Sequence, residues 1–342
     1  MPLLPEDLFH RPIPLVPHFS PRPWGGERLK SALGKRPPPE LGRVGESWEL
    51  SDHPDGPSFV GGDSPAAGMR FGDLARAHPR EMIGAEWAPE RYPILVKCID
   101  AAERLSVQVH PSDEWCRRTG HPDRGKSECW YVLHADPGAQ VQLGFRAKVD
   151  PEAVRSAIAE GRLSDLLAFF PISAGDFITI PPGTVHAMLE GTMVCEIQQS
   201  SNTTFRLFDW GREPRRELHI EQALEVANLD PECTPPIRHV GGVTRAGDDA
   251  PSRLVTLLRG EHFGVTLFDL IPGGSVGQAD VAGPRGSVIS VVHGSGILCG
   301  RDWEQPLKLG DTLFLPAAMR SPGLEADPQS GIRLVVTECV EG

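Results

Sequence analysis

Several features are scarce in this chain, and each scarcity excludes a class of protein. The 342 residues include seven cysteines, an odd number with no Cys-x-x-Cys pair, which indicates free thiols in a reducing cytoplasm. No apolar run approaches the roughly eighteen residues of a membrane-spanning helix, so we expect no membrane association. The N-terminal segment carries acids and prolines early, and we therefore expect no signal peptide.

Positive charge is also in deficit. The chain has 34 lysines and arginines against 46 acids, a formal net charge of −12. A nucleic-acid partner is not expected, because such proteins usually present a basic surface. An anionic substrate requires a locally basic pocket inside this acidic protein.

Glycine and proline are abundant, at 37 and 34 residues, while aromatics make up only 6%. Frequent turn residues with moderate apolar content favour short strands joined by turns. We predict a mainly β protein of two β-barrels with a few short helices. The predicted divisions are an N-terminal metal-binding domain over residues 1–228, a polar linker over 229–252 and a C-terminal domain without metal ligands over 253–342.

A sequence pattern that occurs twice in the chain supports the prediction of two barrels. Gly175–Pro181 and Gly310–Pro316 both read as a Gly-Asp turn, an apolar strand and a proline turn. Eleven residues after its glycine, the first segment has His186, a potential metal ligand, whereas the second segment has Ser321 at the corresponding position. We therefore expect one active barrel and one structural barrel.

Local patterns predict the individual elements. Strands are predicted over residues 45–50, 93–100, 105–110, 128–133, 139–144, 176–180, 185–189 and 193–199, with 128–133 and 139–144 forming a pair around the turn at Asp136-Pro137-Gly138. Helices are predicted over residues 71–83, 151–159 and 163–169, and a short helix capped by Ser112 or Asp113 is predicted up to about Gly120.

The segment from Gly175 to His186 follows the pattern G-x5-P-x-G-x2-H, which we identify as the second cupin motif. We therefore expect the fold class to be mainly β, with two cupin-type (jelly-roll) β-barrels and a few short helices. The glycine opens a turn, a strand enters the barrel, Pro-x-Gly reverses the chain, and the histidine starts the returning strand. The alternative is a barrel turn with a purely structural histidine.

Two further segments place pairs of polar side chains on one strand face, because side chains alternate along a strand. Gln108 and His110 form one pair, and Lys126 and Glu128 form the other. With His186 they suggest a His-His-Glu site with one amide, suited to zinc or another borderline divalent metal. The alternatives are a solvated edge strand and a surface ion pair.

After His186 the chain carries two more candidates. Glu196 shares a strand face with Gln198, and Arg206 lies in the apolar, aromatic stretch Phe205–Trp210. Arg206 either clamps an anion or pairs with a buried acid, and the sequence does not separate these readings.

The motifs together resemble the type I phosphomannose isomerases, most closely their shorter bacterial form. The pieces that carry the resemblance, in order and approximate spacing, are Trp24-Gly25-Gly26, Gly45–Trp48, Pro93–Ile99, Leu105–Pro111, Lys126–Tyr131, Gly175–His186 and Glu196–Trp210. The resemblance covers residues 8–228, and beyond them it extends only to the strand pattern.

The resemblance implies roles for individual residues. It implies a single Zn²⁺ on Gln108, His110, Glu128 and His186, with Lys126 and Arg206 as catalytic residues and Glu196 as the pocket glutamate and rival carbon base. Lys97 and Trp24, with Arg206, are the expected substrate-binding residues. A metal ion near Lys126 is expected to lower the pKa of its amine.

The implied activity is the interconversion of mannose 6-phosphate and fructose 6-phosphate through an enediol. The chain departs from the family in having Ser127 after the lysine, where threonine is frequent, and in lacking the long helical insert of larger members. The alternatives are a non-catalytic metal-binding sugar sensor and another cupin metalloenzyme, such as an iron oxygenase. We expect a cytoplasmic monomer or homodimer that acts on a small sugar phosphate.

Overall fold

The structure, a computed structural model, describes residues 4–84, 90–240, 253–277, 281 and 283–340. Within them, twenty-two strands build three antiparallel sheets, and the helices are short. The strands are β1 (Ile13–Val16), β2 (His18–Gly26), β3 (Val44–Leu50), β4 (Phe59–Val60), β5 (Ile94–Ala101), β6 (Val107–Val109), β7 (Glu128–Ala135), β8 (Gln140–Phe145), β9 (Leu167–Pro171), β10 (Asp176–Ile180), β11 (His186–Met188), β12 (Thr192–Gln199), β13 (Phe205–Phe208), β14 (Ile237–His239), β15 (Arg253–Arg259), β16 (Phe263–Leu270), β17 (Ser275–Val276), β18 (Ser287–Cys299), β19 (Glu304–Lys308), β20 (Thr312–Leu315), β21 (Gly323–Ala326) and β22 (Ile332–Cys339).

The helices connect strands at the edges of the sheets. The α-helices of the described chain are α1 (Arg28–Ser31), α2 (Phe71–Ala77), α3 (Pro79–Ile83), α4 (Asp113–Thr119), α5 (Pro151–Ala159) and α6 (Ile220–Val226), and 3₁₀ turns cover Glu6–His10, Pro39–Leu41, Leu163–Asp165 and Pro231–Cys233. In the described part, no helix is long and apolar enough to span a bilayer.

A seven-stranded sheet lies at the centre of the molecule, in the order β14-β10-β7-β12-β5-β3-β2. Successive side chains of a strand point to opposite faces, so each of its strands contributes to two cores. On one face Trp130 and Val194 pack with Leu143 of the five-stranded sheet β13-β6-β11-β8-β9. On the other face Cys129 and Ile197 pack against the C-terminal strands. Because both faces are covered, β3, β5 and β12 are buried along their whole length.

The C-terminal strands form a second barrel on the far side of the central sheet. The ten-stranded sheet runs β15-β16-β22-β18-β20-β1-β4, and the long strand β18 also pairs with β19 and β21. A register shift between Val291 and His293 lets the two halves of β18 serve both sides of this barrel. The predicted fold class, mainly β with two cupin-type barrels and a few short helices, is confirmed.

The sheets cross the predicted domain boundaries. The N-terminal strand β1 pairs with β20, with Ile13 opposite Phe314, and so joins the C-terminal sheet. Within the predicted linker, β14 adds an edge strand next to β10, while residues 241–252 lie outside the described residues. The division at residues 228 and 252 stays a prediction.

Of the two candidate caps of the helix that ends near Gly120, Ser112 takes the N-cap position and Asp113 is the first residue of α4. The Ser112 side chain accepts a hydrogen bond from the Trp115 backbone N–H and starts α4. The predicted helix over 71–83 is two helices, α2 and α3, because Pro79 lacks an N–H and restricts His78, which leaves the helical conformation.

Two local predictions were wrong. Residues 167–171 form strand β9 rather than helix, because Phe169 and Phe170 pair with Gln142 and Val141 of β8, and tertiary pairing overrides a weak helical spacing. Strands β7 and β8 do not pair with each other. β7 lies between β10 and β12 in the central sheet, whereas β8 pairs with β9 and β11 in the five-stranded sheet, so the chain changes sheets between them.

Candidate active site

A row of polar and aromatic side chains crosses the central sheet. Lys97 on β5 lies opposite Trp48 on β3 and Glu196 on β12, and Glu196 lies opposite Trp130 on β7. Directly opposed residues of antiparallel strands share a face, so these four side chains line one surface. Glu128, two residues before Trp130, shares that face.

A second row crosses the five-stranded sheet. Gln108 on β6 lies opposite His186 on β11 and Arg206 on β13. His110 follows two residues after Gln108, just beyond the end of β6. The rings of His186 and Trp130 are 5.6 Å apart, so the two rows face each other inside the first barrel. This facing arrangement brings together every metal-ligand candidate of the sequence.

The two histidines and the glutamate form one buried group inside the first barrel. The potential ligand atoms of His110, Glu128 and His186 all lie within 4.8 Å of one another, and all three residues are buried. His110 Nε2 is 3.6 Å from one carboxylate oxygen of Glu128, and His186 Nε2 is 3.3 Å from the other.

Backbone carbonyls orient both imidazoles. His110 Nδ1 lies 2.9 Å from the Thr203 carbonyl oxygen, and His186 Nδ1 lies 2.8 Å from that of Thr184. Because a carbonyl oxygen only accepts, each Nδ1 carries the proton and donates it, which leaves the lone pair of each ring on Nε2, the atom nearest Glu128. This is the arrangement that metal-binding histidines usually have.

Electrostatics keep these groups in ligand form. Burial lowers the pKa of His110 well below its ordinary value, and the nearby Lys126 lowers it further. Burial opposes ionisation of Glu128, but Lys126 and His110 outweigh it and hold the pKa of that carboxyl well below its usual range. Two imidazoles and one carboxylate are a donor set that fits a borderline divalent ion such as Zn²⁺.

Gln108 borders this group from the neighbouring strand. Its side-chain amide nitrogen lies 3.3 Å from His186 Nε2. Because amide nitrogen and oxygen exchange places by a 180° rotation of the side chain, Gln108 can direct its oxygen to the same point. The role of Gln108 as a fourth metal ligand stays a prediction.

Lys126 reaches the same cluster from just before β7. Its Nζ is 2.6 Å from Glu128 and 3.2 Å from His110 Nε2. Burial favours the neutral amine, but Glu128 and Glu196 outweigh it and raise the pKa of Lys126. The expected lowering of its pKa concerns a metal-loaded site and stays a prediction.

Glu196 lies beside the cluster with one satisfied oxygen. Trp130 Nε1 donates to Oε2 at 2.9 Å, while Oε1 is buried and accepts no hydrogen bond from the described residues. Lys97 Nζ is 3.4 Å from that oxygen. Burial raises the pKa of Glu196, and the negative Glu128 raises it further. A buried carboxylate with an unused oxygen is a reasonable proton carrier.

Sequence reasoning missed Glu46 as a site residue. This buried carboxylate accepts hydrogen bonds from Arg22 Nε at 2.7 Å and from Trp48 Nε1 at 2.7 Å, and Lys97 Nζ lies 3.9 Å away. These cations offset its burial and lower the pKa of Glu46 to about 2. The signal was available, because Glu46 and Trp48 are two residues apart on one strand and share a face.

The rows open into a cavity of about 460 Å³. Trp24, Lys97, Gln108, Lys126, Glu196 and Arg206 all line it, together with Arg22 and Arg216, two arginines not predicted as site residues. Arg206 Nη1 donates to the Glu217 backbone carbonyl oxygen at 2.7 Å. Among the described residues Arg206 makes no hydrogen bond to a carboxylate, so the buried arginine–acid pair that was the alternative is not observed. The roles of these residues stay predictions.

Fold and site together define a two-barrel β protein whose first barrel encloses a two-histidine, one-carboxylate group suited to a divalent metal. A family model described as phosphomannose isomerase type I, catalytic domain, matches residues 13–137. The mannose-6-phosphate isomerase of Streptococcus mutans is 35% identical over 310 residues, which cover 89% of this chain and 92% of that protein. The chain belongs to the type I phosphomannose isomerase family.

Solved structures agree with this assignment. The crystal structure of the mannose 6-phosphate isomerase from Bacillus subtilis matches with a TM-score of 0.81 at 32% identity, covering 96% of this chain and 99% of that one. A mannose 6-phosphate isomerase bound with zinc and yttrium has a TM-score of 0.69 at 17% identity, with the same coverage, and shows the shared fold alone.

Proposed function

We propose that this protein is a zinc-dependent isomerase that interconverts mannose 6-phosphate and fructose 6-phosphate through an enediol intermediate. The observation that carries the proposal is the buried His110–Glu128–His186 group with Lys126 against it, since Lys126 and Gln108 also line a cavity that contains three arginines. The family membership names the reaction class, since the relatives carry the name mannose-6-phosphate isomerase.

His110, Glu128 and His186, with Gln108 as a weaker partner, would hold one Zn²⁺ per chain. When bound, such an ion acts as a Lewis acid toward sugar oxygens and stabilises negative charge that develops on them. The histidine tautomers fixed by Thr203 and Thr184 leave both Nε2 atoms ready for this role.

The reaction moves a proton between C1 and C2, and two residues can carry it. Lys126 and Glu196 both line the cavity, and both are buried. Glu196 has the raised pKa and the unused oxygen of a general base, while Lys126 is placed to exchange protons with the sugar oxygens. The two assignments remain alternatives, which a test must separate.

Arg206 is placed to stabilise charge. Burial lowers the pKa of Arg206 from its ordinary value, but a guanidinium stays protonated in proteins. Its Nε is buried and donates to no described residue, so it can donate to an enediolate oxygen or to another substrate anion. Trp24 and Lys97 complete the proposed substrate-binding walls.

The proposal includes a cytoplasmic location and a monomer or homodimer. The location is supported by the cysteines, since no disulfide occurs among the described residues and Cys98, Cys129 and Cys195 are buried thiols.

The first test is conversion of mannose 6-phosphate to fructose 6-phosphate by the purified protein, before and after chelation and with Zn²⁺ added back. Activity that is lost to the chelator and restored by Zn²⁺ supports the substrate, the reaction and the metal together. If fully metal-loaded protein shows no turnover, the substrate assignment is wrong, and sugar binding without turnover or metal-dependent oxygen consumption then points to a sensor or an oxygenase.

The second test separates Lys126 from Glu196. We expect Lys126→Met and Glu196→Gln to retain metal, and the variant that lacks the carbon base to lose turnover by about 10²- to 10⁴-fold. Exchange of the sugar C1 and C2 protons with D₂O, followed by NMR, reports the carbon base directly. Exchange that persists in a variant removes its mutated residue from that role.

A further inference from the structure

We propose that Arg22 and Arg216 form an anion subsite at the open end of the cavity and, with Arg206, hold the phosphate group of the substrate. The identity of the phosphate carrier rests on the proposed function. The subsite itself rests on the arginine geometry described next.

The three arginines come from two distant parts of the chain. Arg22 lies on β2, Arg206 on β13 and Arg216 in the segment that follows β13, and all three line the cavity that contains Lys126 and Gln108. The side chains of Arg22 and Arg216 are 32% and 25% exposed, whereas that of Lys126 is 5% exposed. Within the cavity lining, Lys126 is therefore on the enclosed side, against Glu128 of the metal group, and Arg22 and Arg216 lie toward solvent.

A carboxylate orients each of the two new arginines. Arg22 donates through Nε at 2.7 Å and Nη2 at 3.2 Å to the two oxygens of Glu46. Arg216 donates through Nε at 2.8 Å and Nη2 at 2.5 Å to the two oxygens of Asp209. These two-point contacts fix the plane of each guanidinium group.

Each two-point contact with a carboxylate uses only some of the N–H donors of the arginine. A guanidinium has five N–H donors, and the carboxylate takes two of them. Arg22 Nη1 has only a long 3.5 Å contact to the Pro21 carbonyl oxygen, and Arg216 Nη1 donates to no described residue. Donors that are held rigidly and left unused suit the oxygens of a phosphate.

Arg206 adds an unpaired donor and a positive charge. Its Nε is buried and donates to no described residue. Besides burial, the positive charge of Arg216 and then that of Arg22 lower the pKa of Arg206, so the three groups are close enough to interact. An anion among them would relieve this repulsion, and a phosphate monoester carries a charge of about −1.5 to −2 at neutral pH.

Lys97, the residue expected from the sequence to supply charge for substrate binding, has different surroundings. Its Nζ lies 3.4 Å from Glu196, 3.9 Å from Glu46 and 4.7 Å from the centre of the Trp48 ring. Two carboxylates and an aromatic face already surround this ammonium group. The arginines therefore have more unused donor capacity for a phosphate than Lys97 has.

The test compares phosphorylated and unphosphorylated substrate in Arg22→Gln and Arg216→Gln. Loss of a charge-assisted hydrogen bond is expected to raise the KM for mannose 6-phosphate about 10- to 100-fold. The kcat/KM for unphosphorylated mannose, which we expect to be lower than that for mannose 6-phosphate, should change less than about threefold, and bound metal should be unchanged. Arg215→Gln is the matched control, because Arg215 is 90% exposed and lies outside the cavity lining.

Two further arms keep the proposal falsifiable. Arg216→Lys keeps the positive charge but cannot make the two-point contact of a guanidinium group. Its KM for mannose 6-phosphate should therefore lie between those of the wild type and Arg216→Gln, with an unchanged unfolding temperature. Calorimetry with inorganic phosphate should show binding to the zinc-loaded wild type that weakens about tenfold or more in the glutamine variants.

The outcomes are distinguishable. If the wild type does not turn over mannose 6-phosphate but phosphate binding depends on Arg22 and Arg216, the proposed function fails and the anion subsite stands. Unchanged phosphate binding and unchanged KM in stably folded glutamine variants overturn the subsite, whatever the reaction. An equal loss with mannose and mannose 6-phosphate also overturns it, because the arginines then act on the whole site.

Discussion

The two barrels share a turn but not an interior. Gly175 and Gly310 open equivalent turns with φ of 89° and 90°, a conformation that favours glycine. Each turn leads into an apolar strand, β10 in the first barrel and β20 in the second. Eleven residues after the glycine, the first barrel has buried His186 and the second has exposed Ser321. The same backbone device thus serves chemistry in one barrel and only architecture in the other.

The interiors differ in the same way. The core of the second barrel consists of aliphatic and a few other apolar side chains, among them Leu270, Ile289, Leu298, Leu313, Leu324 and Leu334. The first barrel gives part of its interior to buried Lys97, His110, Lys126, Glu128, His186 and Glu196. Buried polar groups contribute less to stability than apolar packing unless they are fully paired. The second barrel therefore stabilises the molecule, and the first carries the site.

The largest effect is expected from a change in the metal group. Glu128→Gln removes the only carboxylate of the group while keeping its volume, so isomerase turnover and bound zinc should fall about 100-fold or more. Turnover and metal content per chain measure this directly. Ser321→Ala, at the corresponding position of the second barrel, should change neither. Full activity with full zinc in Glu128→Gln would contradict the conclusion that this group of the first barrel carries the site.

The next effect concerns the contact between barrels. Lys35 Nζ lies 2.5 Å from Glu49 of the central sheet and 2.6 Å from the Gly310 carbonyl oxygen of the second barrel. Lys35→Met leaves Glu49 buried without its cation and should cost about 3–5 kcal/mol of unfolding free energy, measured by denaturant titration. The double variant Lys35→Met/Glu49→Leu should recover most of this loss.

The charge state of Lys35 decides the pH at which the denaturant titration should be made. Burial favours neutral Lys35, but Glu49 outweighs it and raises the pKa of Lys35 above its ordinary value. The stabilisation is therefore fully present below the unfolded-state pKa, near 10.5, and is lost only as the pH rises through the raised value. A single variant that loses under about 1 kcal/mol at pH 7 would show that this ion pair does not lock the barrels.

A smaller effect is expected in the second core. Leu334 on β22 is fully buried, and Leu334→Ala should lower the unfolding free energy by about 2–5 kcal/mol through lost burial and a cavity. Because the site lies in the other barrel, kcat should stay unchanged below the unfolding temperature. Leu254→Ala is the control, since Leu254 is 57% exposed. Loss of kcat in folded Leu334→Ala protein would mean that the second barrel shapes the site.

Strand alternation was enough to predict the pairs within each segment of the site. Spacing alone placed Gln108 on a common face with His110, and Lys126 on a common face with Glu128. In the structure both pairs lie at the same group of side chains around His186. Alternation says nothing about which strands are neighbours or how they are registered. Hence the opposition of Glu196 and Lys97, set by the pairing of β12 with β5, was not predictable.

The wrong local predictions have the same cause. The turn at Asp136–Gly138 satisfies local rules for a hairpin, yet β7 and β8 find partners in different sheets. Residues 163–169 have roughly helical apolar spacing, but the free energy of pairing with β8 outweighs this weak preference. Arg22 and Arg216 were missed because no local pattern distinguishes a cavity arginine from a surface arginine.

The smallest predicted effect tests how the first barrel tolerates its polar interior. Buried Glu46 faces Arg22 from β2, Trp48 on its own strand, Lys97 from β5 and, beyond Lys97, Glu196 from β12. Burial alone would raise its pKa, but Lys97 and Arg22 lower it to about 2 from an ordinary 4.5. A depressed carboxyl pKa stabilises the fold above the unfolded-state value, by up to roughly 3 kcal/mol here, and that stability is lost as the pH falls from about 4.5 toward 2.

Glu46→Gln should therefore unfold more easily at pH 7 and show a flatter decline of stability between these pH values, as measured by thermal unfolding across a pH series. Glu40→Gln is the control, because Glu40 is exposed and has no ion pair among the described residues. Since Glu46 also orients Arg22, the variant should raise the KM for mannose 6-phosphate more than it lowers kcat. An unchanged acid profile would mean that Arg22 and Lys97 do not stabilise the ionised carboxylate, and that the polar interior of the first barrel is held by its apolar surroundings instead.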